Sequence, residues 1–104
     1  MRYRISDDAE QDLDEIFFYW AERTSASIVD RLVEGIVERF WLLGEFPESG
    51  RQTGNIGPGI RCFPAGEYLI YYRKAGEHTD ILHIFHGARE QTRAFNKKTR
   101  KPRR

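Results

Sequence analysis

Cysteine is nearly absent. The single Cys62 in 104 residues rules out an intrachain disulfide and fits a reducing, cytoplasmic setting. No apolar run approaches the length of a membrane-spanning helix, so no membrane association is expected. The acidic pair Asp7 and Asp8 arrives before any apolar stretch of the kind a secretory signal needs. Metal-ligand spacing is missing as well. Of the three histidines, His78 falls in an expected hairpin loop, while His83 and His86 stand three apart on an expected strand and so face opposite sides. No metal site and no cofactor are expected. The glycines at 50, 54, 57 and 59 precede a strand instead of joining a strand to a helix, which argues against a phosphate-binding glycine loop. No Ser-His-Asp or Cys-His set is recognisable. Cys62 reads as a strand residue, with neighbouring Arg61 the one feature that keeps a reactive thiol open.

The chain has one domain's worth of residues, expected as a single domain over residues 1–96 followed by a basic, disordered tail over 97–104. Its net charge of +1 hides a sorting. Residues 1–50 carry 5 basic and 12 acidic side chains, whereas residues 51–104 carry 12 basic and 4 acidic ones. Eight of the 17 basic residues lie from Arg89 onward. Such a tail contacts nucleic acid or an acidic protein segment, mostly through counterion release; solubility and pairing between the two halves is the plainer alternative.

Hydrophobic periodicity predicts an α+β fold: an N-terminal strand, an antiparallel two-helix hairpin, then a three-stranded antiparallel meander, all in one sheet. Arg2–Ile5 is the opening strand. Asp7 is the expected cap of the first helix, with Glu10 completing a capping box. That helix runs to about Arg23 and buries Ala9, Leu13, Ile16, Phe17 and Trp20. The second spans Ser25–Leu43, buries Ile28, Val29, Leu32, Ile36, Phe40 and Leu43, and stops at Gly44 before Pro47. Pro47–Gly59 is a glycine-rich loop, long for a compact domain and therefore a candidate for function. Strands are expected over Ile60–Phe63, Tyr68–Arg73 and Asp80–His86, with a turn at Pro64–Glu67 and a hairpin loop at Lys74–Thr79.

Two groups of residues are left over as candidate sites. Arg51, Arg61, His86 and Arg89 read as a cationic and imidazole group at one end of the sheet, suited to phosphate contact. The structural alternative pairs the arginines with carboxylates and hydrogen-bonds His86 at a strand end. Phe18 on the first helix and Val33, Val37 and Trp41 on the second fall off the core face. They form either a surface for a partner segment or a helix face buried on two sides.

The order of these features resembles the RelE/ParE superfamily of type II toxin–antitoxin toxins. The resemblance rests on a strand, the helix with Ala9, Asp12, Leu13 and Ile16, a second amphipathic helix, Pro47 before Gly50 and Arg51, Arg61 opening a strand, Tyr68–Tyr72, and His86, Gly87, Ala88, Arg89. It implies a growth-inhibiting toxin neutralised by a cognate antitoxin, for which Phe18, Val33, Val37 and Trp41 are the contact candidates. RelE-like members cut mRNA on the ribosome with clustered Lys, Arg and His or Tyr, roles for which Arg61, His86 and Arg89 are the candidates here. ParE-like members poison DNA gyrase and are not enzymes in that sense. Residues 51–72 hold no lysine, and no tyrosine follows Arg89. The resemblance therefore falls on the ParE-like branch, with Arg51, Arg61, His86 and Arg89 as target-binding candidates. The ribosome-dependent endoribonuclease and a non-catalytic nucleic-acid-binding module stay as alternatives, the basic tail from Lys97 being longer than that branch leads one to expect.

Overall fold

A computed structural model of the chain describes residues 2–87; Arg89 and the tail lie outside the described residues. The elements are β1 (Tyr3–Ile5), α1 (Asp7–Ala21), α2 (Ala26–Glu45), β2 (Arg51–Gln52), β3 (Ile60–Ala65), β4 (Tyr68–Ala75) and β5 (His78–His86). They form an α+β fold, two helices against one sheet of order β1-β5-β4-β3-β2. The meander is antiparallel as expected, and β1 joins its far edge parallel to β5. The sheet has one strand more than the periodicity showed: β2 arises inside the glycine-rich loop and pairs with Cys62 and Arg61. Two residues carry no readable alternation, so only the pairing reveals it. No described helix is long and apolar enough to cross a membrane.

Local chemistry accounts for the element ends, with several corrections. Ser6, not Asp7, caps α1: its hydroxyl accepts the Ala9 N–H at 3.0 Å and donates to the Leu82 carbonyl at 3.0 Å. A hydroxyl does both at once, which a carboxylate cannot. Asp7, Asp8 and Glu10 then sit in the first turn, on the positive end of the helix. Gly44 does not stop α2. It lies inside the helix, and a Cβ there would stand 3.1 Å from the Arg2 backbone, so glycine permits the close approach of α2 to β1. The helix ends one residue later, capped by Phe46. The expected loop at Lys74–Thr79 is far tighter. Ala75 pairs with His78, as Ala65 pairs with Tyr68, leaving two-residue Gly-Glu turns with Gly66 and Gly76 at φ +62° and +64°. Glycine at the first central position is what a twisted hairpin needs.

The core divides across the sheet. On the helix side, Ala9, Ile16, Ile36, Phe40 and Leu43 meet Ala65, Tyr68, Ile70, Tyr72, Ile81 and Ile84. On the other side Ile60, Cys62, Tyr71 and Phe85 form a second cluster, with Ile56, Leu69 and Leu82 against it. Two residues assigned to the core face stand outside it: Phe17 is 39 % exposed and Ile28 49 %. Val29, one position on from Ile28, is the buried residue, and Asp12 takes a core position on α1.

Candidate functional site

The four residues expected at one end of the sheet do not assemble there. Arg51 and Arg61 do share an end, because β2 lies on β3 with Arg51 opposite Cys62 and Gln52 opposite Arg61. His86 sits at the other end, opposite Tyr68, whereas Arg61 is opposite Tyr72. Four residues along β4 and two strand spacings separate them by roughly 16 Å. Arg89 lies outside the described residues.

Each of the three described members has its own surroundings. The Arg61 guanidinium donates to the Gly50 carbonyl at 2.7 Å. It completes a small network around Tyr72, whose hydroxyl accepts the Gly50 N–H at 2.7 Å and donates to the Pro47 carbonyl at 2.8 Å. Burial raises the Tyr72 pKa, outweighing the opposing pull of the Gly50 N–H and Arg61. The phenol therefore stays neutral and can donate and accept together. Arg61 thus pins the loop that brings β2 onto β3. His86 packs edge-on to the Tyr68 ring, 5.5 Å between centroids, with Nε2 3.3 Å from the Glu67 carboxylate. Arg51 is exposed on the short outer strand. It tends to lower the Cys62 pKa, but burial is the larger effect and leaves the thiol raised. Cys62 is 1 % exposed, so it has the features of a packed core thiol and not of a nucleophile.

Sequence reasoning missed a buried polar cluster. One Asp12 carboxylate oxygen accepts the Ile84 N–H at 2.9 Å and lies 3.1 Å from His83 Nδ1. Asp12 and His83 are 3 % and 1 % exposed. The other ring nitrogen of His83 is 3.7 Å from the Asp8 carboxylate, and the ring stacks on Phe85 at 4.9 Å. The cause is topological. β1 pairs only with Thr79–Ile81, and β5 carries an extra residue at Leu82, since Tyr71 pairs with His83 while Tyr72 pairs with Ile81. Beyond Ile81, Ser6 and Asp12 of the α1 region supply the hydrogen bonds that a longer β1 would have made. A signal existed in the sequence: Asp12 stands three after Ala9 and four before Ile16, on the apolar face of the helix. The enclosed imidazole joins helix to sheet.

The apolar candidates are also redistributed. Phe18 and Trp41 are exposed, at 63 % and 61 %. In an antiparallel hairpin Phe18 lies near the α1–α2 turn and Trp41 roughly 18 Å further along the axis. Val33 and Val37 are half-buried, Val37 against the core. They do not make one patch. The concave apolar surface lies where the hairpin turn meets the β3–β4 turn: a groove of about 340 Å³ lined by Trp20, Thr24, Ile28, Val29, Leu32, Gly66, Glu67 and Tyr68. Trp20 Nε1 donates to the Tyr68 hydroxyl at 2.8 Å, fixing its floor. Leu32 and Gly66 continue it towards Arg31 and Arg39. Among the described residues no cluster of His, Cys, Asp and Glu suits a metal ion.

Comparison with known proteins gives a consistent picture. A family described as "ParE toxin of type II toxin-antitoxin system, parDE" matches residues 3–91. Toxin ParE3 of Caulobacter vibrioides is 31 % identical over 88 residues, covering 85 % of this chain and 88 % of that protein. Toxin ParE1 of Mycobacterium tuberculosis is 28 % identical over 86 residues, covering 82 % and 88 %. A solved structure described as "Chromosomal ParDE TA system from P. aeruginosa" shares the fold at a TM-score of 0.72 and 23 % identity, over 83 % of this chain and 95 % of that one.

Proposed function

This chain belongs to the ParE toxin family of type II toxin–antitoxin systems, and from that premise we propose that it arrests growth by binding and poisoning DNA gyrase and is silenced by a cognate antitoxin. One observation carries the choice of poisoning over RNA cleavage. Arg61 and His86, the candidates for acting together on a phosphodiester, stand at opposite ends of the sheet. A general acid or base must lie within hydrogen-bond reach of the group it serves, and Arg61 is already committed to Gly50. Purified protein added to gyrase should reduce supercoiling and accumulate cleaved DNA. Undiminished supercoiling at a large molar excess of toxin would remove the gyrase reading.

For the antitoxin we assign the groove at the hairpin end. Its floor is apolar and its far end carries Arg31 and Arg39. It fits a segment with apolar anchors followed by a carboxylate. Ile28→Glu should shift the thermal midpoint by no more than about 4 °C, because Ile28 is 49 % exposed. The same change should weaken antitoxin binding by at least about tenfold, as expected when a groove anchor becomes charged. Unchanged affinity by calorimetry would move the interface elsewhere, the Trp41 end of the hairpin being the next surface to probe.

A further inference from the structure

Folding turns a charge bias along the sequence into one across the layers. Helices α1 and α2 carry ten carboxylates and two arginines. The five strands carry Arg4, Arg51, Arg61, Arg73 and Lys74 against a single carboxylate, Asp80. The strand register decides which side these cations take. Arg73 is opposite Ile60 and Arg51 opposite Cys62. Ile60 and Cys62 belong to the apolar cluster that, among the described residues, contains no helix residue. Arg51 and Arg73 therefore share the sheet face opposite the one that packs on the α1–α2 core. Arg4, Asp80 and Arg73 form one cross-strand row, in which Asp80 is taken by Arg4 at 3.2 Å. Arg51 and Arg73 are exposed and form no ion pair among the described residues. Two strand spacings and two residues set them roughly 12 Å apart.

We propose that this face of the sheet, through Arg51 and Arg73, contacts the phosphates of duplex DNA. The proposal rests on the gyrase reading, since gyrase holds duplex DNA, and it names what this face meets when toxin and target come together. A guanidinium is the group suited to a phosphate oxygen. Eight further basic residues follow from Arg89 onward in the same chain. A duplex, with one charge per ~1.7 Å of its axis, offers a phosphate to each of two guanidiniums set roughly 12 Å apart. The acidic helix layer faces away, so it orients the protein on DNA by repulsion.

The test uses the full chain and a short fluorescent duplex, with anisotropy measured across a series of salt concentrations. Removing one phosphate-binding cation lowers the slope of log affinity against log salt by about 0.9. Arg51→Gln combined with Arg73→Gln should therefore flatten the slope by about 1.8, with an unchanged thermal midpoint showing that the fold is kept. Arg23→Gln, at the hairpin turn of the helix layer, should leave the slope unaltered. An unaltered slope in the double variant overturns the proposal, because the remaining cations then bind every phosphate. So does a fall in affinity for polyglutamate with none for DNA, which would assign the face to an acidic protein segment. Gyrase supercoiling on the same samples keeps the two claims apart. Gyrase inhibition with no change of slope refutes the DNA contact alone. A flattened slope with unimpaired gyrase supports the contact and refutes the gyrase reading.

Discussion

Replacing Gly50 by alanine puts the loop network under direct strain. A Cβ at this position would lie 2.6 Å from the Tyr72 hydroxyl and 2.7 Å from the Cys62 carbonyl oxygen. Neither is the free end of a flexible chain: one is a buried phenol held by two hydrogen bonds, the other a strand backbone. The loop must lift, and with it go the Gly50 N–H to Tyr72 bond, the Tyr72 to Pro47 bond and the Arg61 to Gly50 bond. At about 1 kcal/mol net for each, the cost is about 3 kcal/mol, a fall in thermal midpoint of roughly 12 °C or more for a domain of this size. Tyr72→Phe removes two of the three bonds and inserts nothing, so it should cost about 2 kcal/mol. The double variant should cost less than the sum, because the phenol oxygen that the new methyl meets is gone. Urea unfolding followed by tryptophan fluorescence measures all three. A Gly50→Ala protein within about 0.5 kcal/mol of wild type, the range of an ordinary surface change, would refute the placement of Tyr72 and Arg61 as the anchors of this loop.

Two further outcomes follow from buried groups. Asp12→Ala leaves the Ile84 N–H without its acceptor and should cost about 1–3 kcal/mol by urea unfolding. Asp12→Asn, which keeps an oxygen in place, should cost clearly less, and equal costs for the two would show that the N–H is not what Asp12 serves. Burial, helped by the neighbouring Cys62, raises the Tyr71 pKa far above its ordinary value. The unfolded chain then gives up that proton first as pH rises through about 10, so stability is complete below that pH and declines above it. Tyr71→Phe should remove up to about 1.4 kcal/mol per pH unit from the alkaline slope, and an identical slope in the variant would refute the assignment.

Particular residues show how much of this is legible in advance. Helices, meander and the apolar interior follow from periodicity, because burying one stripe of a helix requires Ala9, Ile16, Ile36, Phe40 and Leu43 to recur on it. Phe17 and Ile28 sit at the edge of that stripe, where angle alone does not tell a half-exposed position from a buried one. Gly44 reads as a helix stop because its reason for being glycine, the Arg2 backbone, is distant in the chain. The candidate site is legible as a set of residue types, and its division follows from the expected meander: the first and third strands of an antiparallel meander run the same way, so Arg61 at the start of one and His86 at the end of the other stand at opposite ends.

By itself, then, the sequence determined the α+β class and the acidic-to-basic bias along the chain, both properties of local order and spacing, and its resemblance to known toxins pointed to the family. The tertiary structure decided what each polar group is for. It made Arg61 a loop anchor through Gly50 and Asp12 a substitute for missing strand pairing through Ile84. It set Arg51 and Arg73 on one face through the register of β2, β3 and β4. The reason is the same throughout: a hydrogen bond or a shared face depends on which strands become neighbours, and that pairing is a long-range property that no window of the chain contains.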